Sequence, residues 1–210
     1  NACVELCPAE AISKNPLTLN LGQCVFCGEC VSCKEDIIRF SNNFRIATNN
    51  SSRLTVTSNT DHIIFDPELV RKEITKVFGR SLKLRLVSDG SCNGCELELN
   101  ASDNVNFDVS RYGIEFVASP RHADGIVVTG PLVENSAKAL ELTWEAVPDP
   151  KILVAVGTCA ISGGVFKNSK ALNRGFFEKN TPDLYIPGCP PHPLTIIDGL
   201  LKLTGRITAD

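Results

Sequence analysis

The 210-residue sequence contains no methionine, only three histidines and 6% aromatic residues. It has no apolar run near the roughly 20 residues that a membrane-spanning helix requires, and no signal-peptide pattern. Its formal net charge of −3 and lack of a long basic run give no electrostatic reason to expect nucleic-acid binding. We therefore expect protein partners, and we expect any membrane association to depend on another subunit.

Ten cysteines are the most informative residues that the sequence does contain. Reducing compartments keep thiols free, and cysteines gathered from several loops there more often bind a metal than form disulfides. The first set has the close spacing of an iron–sulfur ferredoxin and comprises Cys3, Cys7, Cys24, Cys27, Cys30 and Cys33. The second set is spread over three later loops and comprises Cys92, Cys95, Cys159 and Cys189.

The first set resembles a bacterial ferredoxin that carries two clusters. In the family pattern C-x2-C-x2-C-x3-C-P, three thiols bind one cluster and the cysteine before proline reaches the other. The segment Cys24-Val-Phe-Cys27-Gly-Glu-Cys30 provides three such thiols, and Cys7 precedes Pro8. The resemblance implies that these four cysteines bind a 4Fe-4S cluster. Zinc is the alternative, but three consecutive x2 steps disfavour it, because a zinc ribbon usually takes two cysteines from each loop.

A second N-terminal cluster has an incomplete ligand set. The resemblance assigns it Cys3 and Cys33, and its other two ligands are expected before Asn1. The lack of a starting Met also predicts that the sequence is a fragment. Cys33 departs from the pattern, because it follows Cys30 after two residues instead of three and is not followed by proline.

The region after the first cysteine set is predicted to be a linker followed by one helix. Residues 48–61 are polar and rich in Ser, Thr and Asn, which is typical of a linker. Apolar residues at helical spacing predict a helix over residues 67–78, with Asp66 as its N-cap and its end at Gly79. We therefore divide the chain into a ferredoxin-like α+β domain over residues 1–50, a linker and helix over 51–80, and a larger domain over 81–210.

The larger domain alternates short apolar segments with helical patterns. This alternation predicts an α/β fold, a flavodoxin-like open parallel sheet with helices on its faces. The predicted strands are 82–87, 114–118, 125–129, 152–156 and 184–186, and the predicted helices are 96–102, 134–146 and 194–203. Ligands of such sheets bind beyond the carboxyl ends of the strands. Since all four cysteines of the second set follow strands at that end, we expect them to share one cluster.

Four motifs then make a family resemblance specific. They are Ser91-Cys-Asn-Gly-Cys95-Glu-Leu-Glu98, residues 120–131, Gly157-Thr-Cys-Ala-Ile-Ser-Gly-Gly164 and Pro187-Gly-Cys-Pro-Pro-His-Pro193. In this order they resemble the small subunit of membrane-bound NiFe hydrogenases related to respiratory complex I, over about residues 82–205. The resemblance implies an iron–sulfur electron-transfer subunit whose 4Fe-4S cluster is bound by Cys92, Cys95, Cys159 and Cys189.

The same resemblance implies where the protein works and with what. The nickel–iron centre would belong to a separate large subunit, and further subunits would anchor the complex at the inner, cytoplasmic face of the cell membrane. A soluble ferredoxin or a formate dehydrogenase is the expected electron donor. The complex I subunit that passes electrons to quinone is an alternative, but its first loop carries adjacent cysteines, so Cys92-x2-Cys95 favours the hydrogenase. A zinc-stabilised interaction protein is the alternative from another class.

Several charged and aromatic residues have candidate roles beside these cysteines. Glu96 and Glu98 are candidate proton relays if burial raises their pKa, although the helix dipole alone favours Glu at a helix start. His192 is a candidate hydrogen-bonding partner of the cluster or a subunit contact. Arg121 and His122 are expected to approach the cluster loops. A subunit contact, rather than nucleic acid, is expected for the segment with Phe166, Lys167, Lys170, Arg174, Phe176 and Phe177.

Overall fold

The computed structural model describes residues 2–33, 38–60 and 62–208 and contains two sheets. The antiparallel N-terminal sheet comprises β1 (Ile12–Lys14), β2 (Leu17–Asn20) and β3 (Thr55–Thr57). The parallel sheet comprises β4 (Leu82–Ser88), β5 (Ile114–Phe116), β6 (Gly125–Thr129), β7 (Ile152–Val156) and β8 (Leu184–Ile186). The α-helices are α1 (Ala2–Glu5), α2 (Lys72–Phe78), α3 (Gly94–Ala101), α4 (Glu134–Ala146), α5 (Thr158–Ser162), α6 (Gly175–Lys179) and α7 (Pro193–Leu203).

The parallel sheet confirms the predicted α/β fold. Its strands lie in the order β5-β4-β6-β7-β8, and every neighbouring pair is parallel. Numbered within the sheet, this is the order 2-1-3-4-5 of flavodoxin-like folds. Every residue of β6 and β7 is buried, because helices cover both faces of the sheet and leave room only for continuous apolar segments.

Alternate residues of the central strands point into two separate cores. Ile126 and Leu153 pack on the face covered by α4, together with Leu140 and Phe176. Residues of the opposite register pack against α7 on the other face; they include Val127, Val154, Ile196, Leu200 and Leu203. Among the helices that the structure describes, none is long and apolar enough to span a lipid bilayer.

The prediction of a single helix over residues 67–78 is wrong, because the helix is interrupted between residues 69 and 72. The chain forms a 3-10 turn over Pro67–Leu69, becomes extended at Val70 and starts α2 only at Lys72. The break occurs because Arg71 binds both carboxylate oxygens of Asp183 at 3.2 Å. A tertiary contact therefore overrides the helical spacing of the apolar residues. The predicted cap at Asp66, which accepts a hydrogen bond from the N–H of Glu68, and the helix end before Gly79 are both present.

The predicted linker over residues 48–61 pairs with both sheets in the part that the structure describes, residues 48–60. Thr48 pairs with Tyr185 at the edge of the parallel sheet, through main-chain hydrogen bonds of 3.0 and 2.8 Å. Further along, β3 completes the N-terminal sheet by pairing with β2. The polar composition reflects the exposed side chains of Thr55 and Thr57 on this strand. This segment therefore connects the two sheets directly, whereas the division of the chain into three domains stays a prediction.

Candidate metal centre

The four cysteines of the second set line one cavity of about 150 Å³. Each follows a strand of the parallel sheet at its carboxyl end, as predicted. Cys92 lies in the loop after β4 and Cys95 in the first turn of α3, while Cys159 lies in the first turn of α5 and Cys189 in the loop after β8. A cavity needs about 10–15 Å³ to hold one water molecule, so this cavity is about ten times larger than a single water requires.

Two glycines with positive φ keep this cavity free of side chains. Gly157 has φ +88°, and a Cβ atom added there would lie 2.5 Å from the Sγ of Cys95. Gly164 has φ +54°, and its Cβ would lie 3.2 Å from the Sγ of Cys159. Both positions favour glycine because of the backbone conformation and because of the space that the sulfur atoms occupy.

The cysteines of the cavity influence one another electrostatically. Burial raises the pKa of Cys95 to about 12, and the carboxylate of Glu96 and the other three cysteines contribute to the rise. Burial, Cys189 and Cys92 raise the pKa of Cys159 to about 11. Four thiolates this close repel each other unless a cation separates them, and a bound metal favours the deprotonated form of its thiol ligands. The donor set therefore fits an iron–sulfur cluster.

The four cysteines of this site do not have the spacing of a single-ion site. Among the residues described by the structure, no three or more His, Cys, Asp or Glu side chains lie close enough to bind one metal ion. A zinc ion binds each sulfur at about 2.3 Å, which brings four sulfurs together tightly. A four-iron cluster binds each cysteine through a different iron atom, so its ligands are further apart. A shared cavity without single-ion spacing is compatible with such a cluster.

The predicted relay role of Glu96 required that burial raise its pKa, and this condition is not met. It is buried, and its two carboxylate oxygens accept hydrogen bonds from Ser91 at 2.6 Å and from Thr129 at 2.5 Å. Burial alone would raise its pKa, but hydrogen bonds from Ser91, Thr129 and Ser88 outweigh burial and hold the pKa below its ordinary value. Glu96 therefore anchors the start of α3 to the end of β6. Glu98, two residues later, is half-buried, and its predicted relay role stays a prediction.

Two residues close to Cys159 have positions that the sequence did not indicate. Thr158 is 1% exposed, and its hydroxyl donates to the main-chain oxygen of Cys24 at 2.7 Å, with Gly188 O at 3.2 Å. Arg174 donates to the main-chain oxygens of Cys159, Ala160, Ile161 and Pro131. Neither residue binds its immediate neighbours in the chain through these contacts, because Cys24 is 134 residues away from Thr158 and the partners of Arg174 are 13 to 43 residues away, so no local sequence pattern reports them.

Four cysteines of the first set also line a common cavity, as the ferredoxin resemblance implies. Cys7, Cys24, Cys27 and Cys30 surround a space of about 10 Å³. Burial raises the pKa of Cys24 to about 11, and the other three thiols contribute to the rise. Cys7 and Cys24 also accept hydrogen bonds from the N–H groups of Ala11 at 3.2 Å and Phe26 at 3.4 Å, respectively. The structure therefore brings these four thiols to one place.

Cys3 and Cys33 face each other in a buried position. The structure joins them in a disulfide with a Cα–Cα distance of 5.5 Å. In this state neither sulfur can bind iron, so the structure offers the two as a pair rather than as free ligands. Their proximity is what two ligands of one cluster would need, and their predicted role in a second N-terminal cluster stays a prediction.

The remaining candidates fall into different places. His192 caps α7, since its Nδ1 accepts from the N–H of Leu194 at 3.2 Å, and it contacts the ring of Phe107. Arg121 and His122 lie before the amino end of β6, at the edge of the sheet opposite the cysteine loops, so the expectation that they approach the cluster is wrong.

The predicted contact segment after Cys159 is only partly exposed. Phe166 is 49% exposed and lines the cavity of the second cysteine set, so it remains available to a partner. Phe176 is 5% exposed and belongs to the core, where its ring packs against that of Trp144. The ε-ammonium of Lys167 pairs with Glu10 at 2.6 Å and so binds this segment to the N-terminal part of the chain.

The fold and the cavity define a class of protein, namely oxidoreductase subunits in which the loops at the carboxyl ends of an open parallel sheet carry cysteines. The model of one family, described as NADH ubiquinone oxidoreductase, 20 kDa subunit, matches residues 92–203. The chain belongs to this family. The N-terminal cysteine set lies outside the matched residues, so its assignment to a ferredoxin-like domain stays a prediction.

Relatives come from hydrogenases and from complex I. The chain is 40% identical to a probable membrane-bound hydrogenase subunit of Pyrococcus furiosus, over 61% of this chain and 77% of that protein. It is 37% identical to subunit 7 of Escherichia coli formate hydrogenlyase, over 66% and 54% of the two chains. It is 41% identical to one subunit of the NADH-quinone oxidoreductase of Heliobacterium modesticaldum, over 54% and 65%. The predicted relationship to complex I-related hydrogenase subunits is confirmed.

A solved structure has the same fold over most of the chain. It is that of the membrane-bound sulfane sulfur reductase, an archaeal respiratory membrane complex, which contains a chain 30% identical to this one. The TM-score is 0.55, and the superposition covers 67% of this chain and 75% of that chain. Since both this complex and the relatives are oxidoreductases, the predicted enzyme class is confirmed.

Proposed function

We propose that this chain is the iron–sulfur electron-transfer subunit of a NiFe hydrogenase complex. It carries electrons between a ferredoxin-type donor and the nickel–iron site of a separate large subunit. The observation on which this proposal rests is the convergence on one cavity of Cys92, Cys95, Cys159 and Cys189. A 4Fe-4S cluster bound by these residues supplies a one-electron carrier, the chemistry that such a subunit needs.

The N-terminal cysteines hold one or two further clusters in this proposal. Cys7, Cys24, Cys27 and Cys30 bind one cluster, and their shared cavity supports this assignment. A second cluster at Cys3 and Cys33 would need two ligands besides these two cysteines. The N–H groups of Ala11 and Phe26 donate hydrogen bonds to the sulfur atoms of Cys7 and Cys24 and so help to fix the positions of these two ligands.

A direct contact between the segments that carry the two cysteine sets supports an electron route within one chain. The hydroxyl of Thr158 donates to the main-chain oxygen of Cys24 at 2.7 Å, and Thr158 is covalently joined to Cys159. Each cysteine set is therefore connected to the other through one hydrogen bond and a few covalent bonds. The ion pair between Lys167 and Glu10 holds the same two parts of the chain together.

The mouth of the C-terminal cavity supports a protein partner on this side of the sheet. Cys92 and Cys189 are exposed there, and Phe166 is 49% exposed beside them. On the adjoining α3, Leu97 is 60% exposed. Exposed apolar side chains around a site are typical of an interaction surface, and the partner in this proposal is the hydrogenase large subunit. The other subunits of the complex hold the chain at the inner face of the cell membrane.

A second candidate function is electron delivery to a different acceptor. The relative in the NADH-quinone oxidoreductase and the fold shared with a chain of the sulfane sulfur reductase favour it. The two residues between Cys92 and Cys95 favour the hydrogenase over the quinone-reducing complex, whose first loop carries adjacent cysteines.

The test is purification of the native complex through an affinity tag on this chain, followed by metal analysis and assays of hydrogen-dependent dye reduction. We expect nickel in the complex and hydrogen-dependent activity that Cys159→Ser abolishes. Cys27→Ser is the matched change in the N-terminal set. The complex with this variant should still reduce the dye with hydrogen but should no longer exchange electrons with ferredoxin. A nickel-free complex that reduces quinone or sulfane sulfur would overturn the hydrogenase proposal.

A further inference from the structure

Arg174 lies behind Cys159 and binds the main chain of the helix that carries this cysteine. Its guanidinium donates to Ala160 O at 2.8 Å and to Ile161 O at 2.9 Å. It also donates to Cys159 O at 3.4 Å, and to Pro131 O at 3.2 Å in the loop after β6. One side chain thus connects two loops of the cavity.

These contacts satisfy the carbonyl groups of a very short helix. Since α5 has five residues, most of its carbonyl groups lack a partner within the helix. A cation at this end is favourable because the carbonyl ends of a helix carry partial negative charge. A lysine has three N–H bonds on one atom where arginine has a planar fork of five, so lysine keeps the positive charge but cannot make all four contacts.

The position of this charge matters for a redox site. Arg174 is half-buried, so solvent screens its charge less than it screens that of a surface side chain. When a cluster gains one electron, its negative charge increases by one, and a nearby cation stabilises that reduced form. The carboxylate of Glu96 places a negative charge next to Cys95, which disfavours the reduced cluster. The positive charge of Arg174, beside Cys159, has the opposite effect.

We infer that Arg174 is a positioning residue of the C-terminal site, which fixes the loop of Cys159 and raises the reduction potential of the cluster held there. This inference rests on the proposed function, because it requires a cluster at Cys92, Cys95, Cys159 and Cys189. It adds a determinant of the potential that is not a ligand and that this chain itself provides.

The test is an anaerobic redox titration of the full chain, followed by low-temperature EPR. The C-terminal signal is identified as the one that Cys159→Ser removes. Arg174→Gln should lower the potential at which this signal appears, whereas Arg174→Lys, which keeps the charge, should leave it close to that of the unmodified chain. Arg206→Gln is the matched control, because Arg206 also binds three main-chain oxygens, those of Phe78, Gly79 and Tyr112, away from the cysteines.

An unchanged potential in Arg174→Gln, or an equal decrease in Arg206→Gln, would overturn the inference. If Arg174→Gln purifies without iron, Arg174→Lys decides: an unchanged potential supports the role of the charge, and a lower potential contradicts it. Failure of the proposed function gives a different result: the unmodified chain would then show no C-terminal 4Fe-4S signal at all.

Discussion

At the residue scale, the C-terminal site depends on a backbone position where a side chain has no space. Gly157 has φ +88° and ψ 154°, a combination that is essentially restricted to glycine. A methyl group there would meet the Sγ of Cys95 at 2.5 Å. Glycine at this position therefore leaves room for the sulfur atom of Cys95, which lies much earlier in the chain.

We expect Gly157→Ala to lower the free energy of unfolding by about 1–3 kcal/mol and to reduce the iron bound at the C-terminal site. Gly28→Ala is the matched control. Gly28 has φ +84°, but a Cβ there meets nothing within 4 Å, so only backbone strain of about 1–2 kcal/mol applies. Chemical denaturation and iron analysis measure the two effects. Equal iron content at the C-terminal site in both variants would contradict the steric argument.

The raised pKa values of the buried thiols predict a pH dependence of the iron-free chain. Cys95 and Cys159 have folded pKa values of about 12 and about 11, against an ordinary value of 9.0. Above 9.0 the unfolded chain loses thiol protons that the folded chain still retains, so the unfolded state binds fewer protons. The contribution of these two thiols to the free energy of unfolding is complete below pH 9.0 and decreases as the pH rises towards 11 and 12.

We therefore expect the free energy of unfolding of the iron-free chain to decrease as the pH rises above 9.0. Denaturant titrations at several pH values measure it. A variant with both Cys95→Ser and Cys159→Ser should show a smaller decrease. A free energy that is constant or increases over this range would show that these thiols are not shielded in the folded state.

At the element scale, α2 shows how tertiary contacts select which part of an apolar pattern becomes buried. The sequence predicted one helix with a continuous apolar face, but Arg71 leaves the helical path to bind Asp183. In the short helix that remains, Ile74 is 0% exposed, whereas Val77 is 54% exposed. The helix is therefore held by fewer side chains than its sequence suggests.

We expect Ile74→Ala to reduce the free energy of unfolding by about 2–5 kcal/mol, because it opens a cavity in the core. Val77→Ala, on the same helix, should change it by about 0.5 kcal/mol or less, because its side chain is exposed. Chemical denaturation compares the two variants. A similar loss from both would mean that the helix packs in a different register.

The elements of the parallel sheet were predictable because their signals are local. Strands β6, β7 and β8 and helix α4 have the bounds predicted from their sequence, since each is a continuous apolar run or a clear helical pattern between turn residues. The break before α2 and the pairing of Thr48 with Tyr185 were missed, because each depends on a partner far away in the chain. The same reason hides Arg174 and Thr158, whose importance comes from what they bind.

At the scale of the whole molecule, the chain brings the segments that carry the two sets of cysteines into contact. The parallel sheet gathers one set at the carboxyl ends of its strands, and the N-terminal part presents the other at Cys24, whose main-chain oxygen binds Thr158. The main-chain pairing of Thr48 with Tyr185 at the edge of β8 ties the same two parts together. This arrangement is the structural basis of the proposed electron route through one chain.

The most direct test of that proposal is iron and acid-labile sulfide analysis, with low-temperature EPR, on the anaerobically purified and reduced chain. We expect about eight iron atoms and about eight sulfides per chain, four of each for the C-terminal cysteines and four for the N-terminal ones. About twelve of each would mean that Cys3 and Cys33 also take part in a cluster. Zinc in place of iron, with no sulfide, would contradict the proposal that this chain carries electrons.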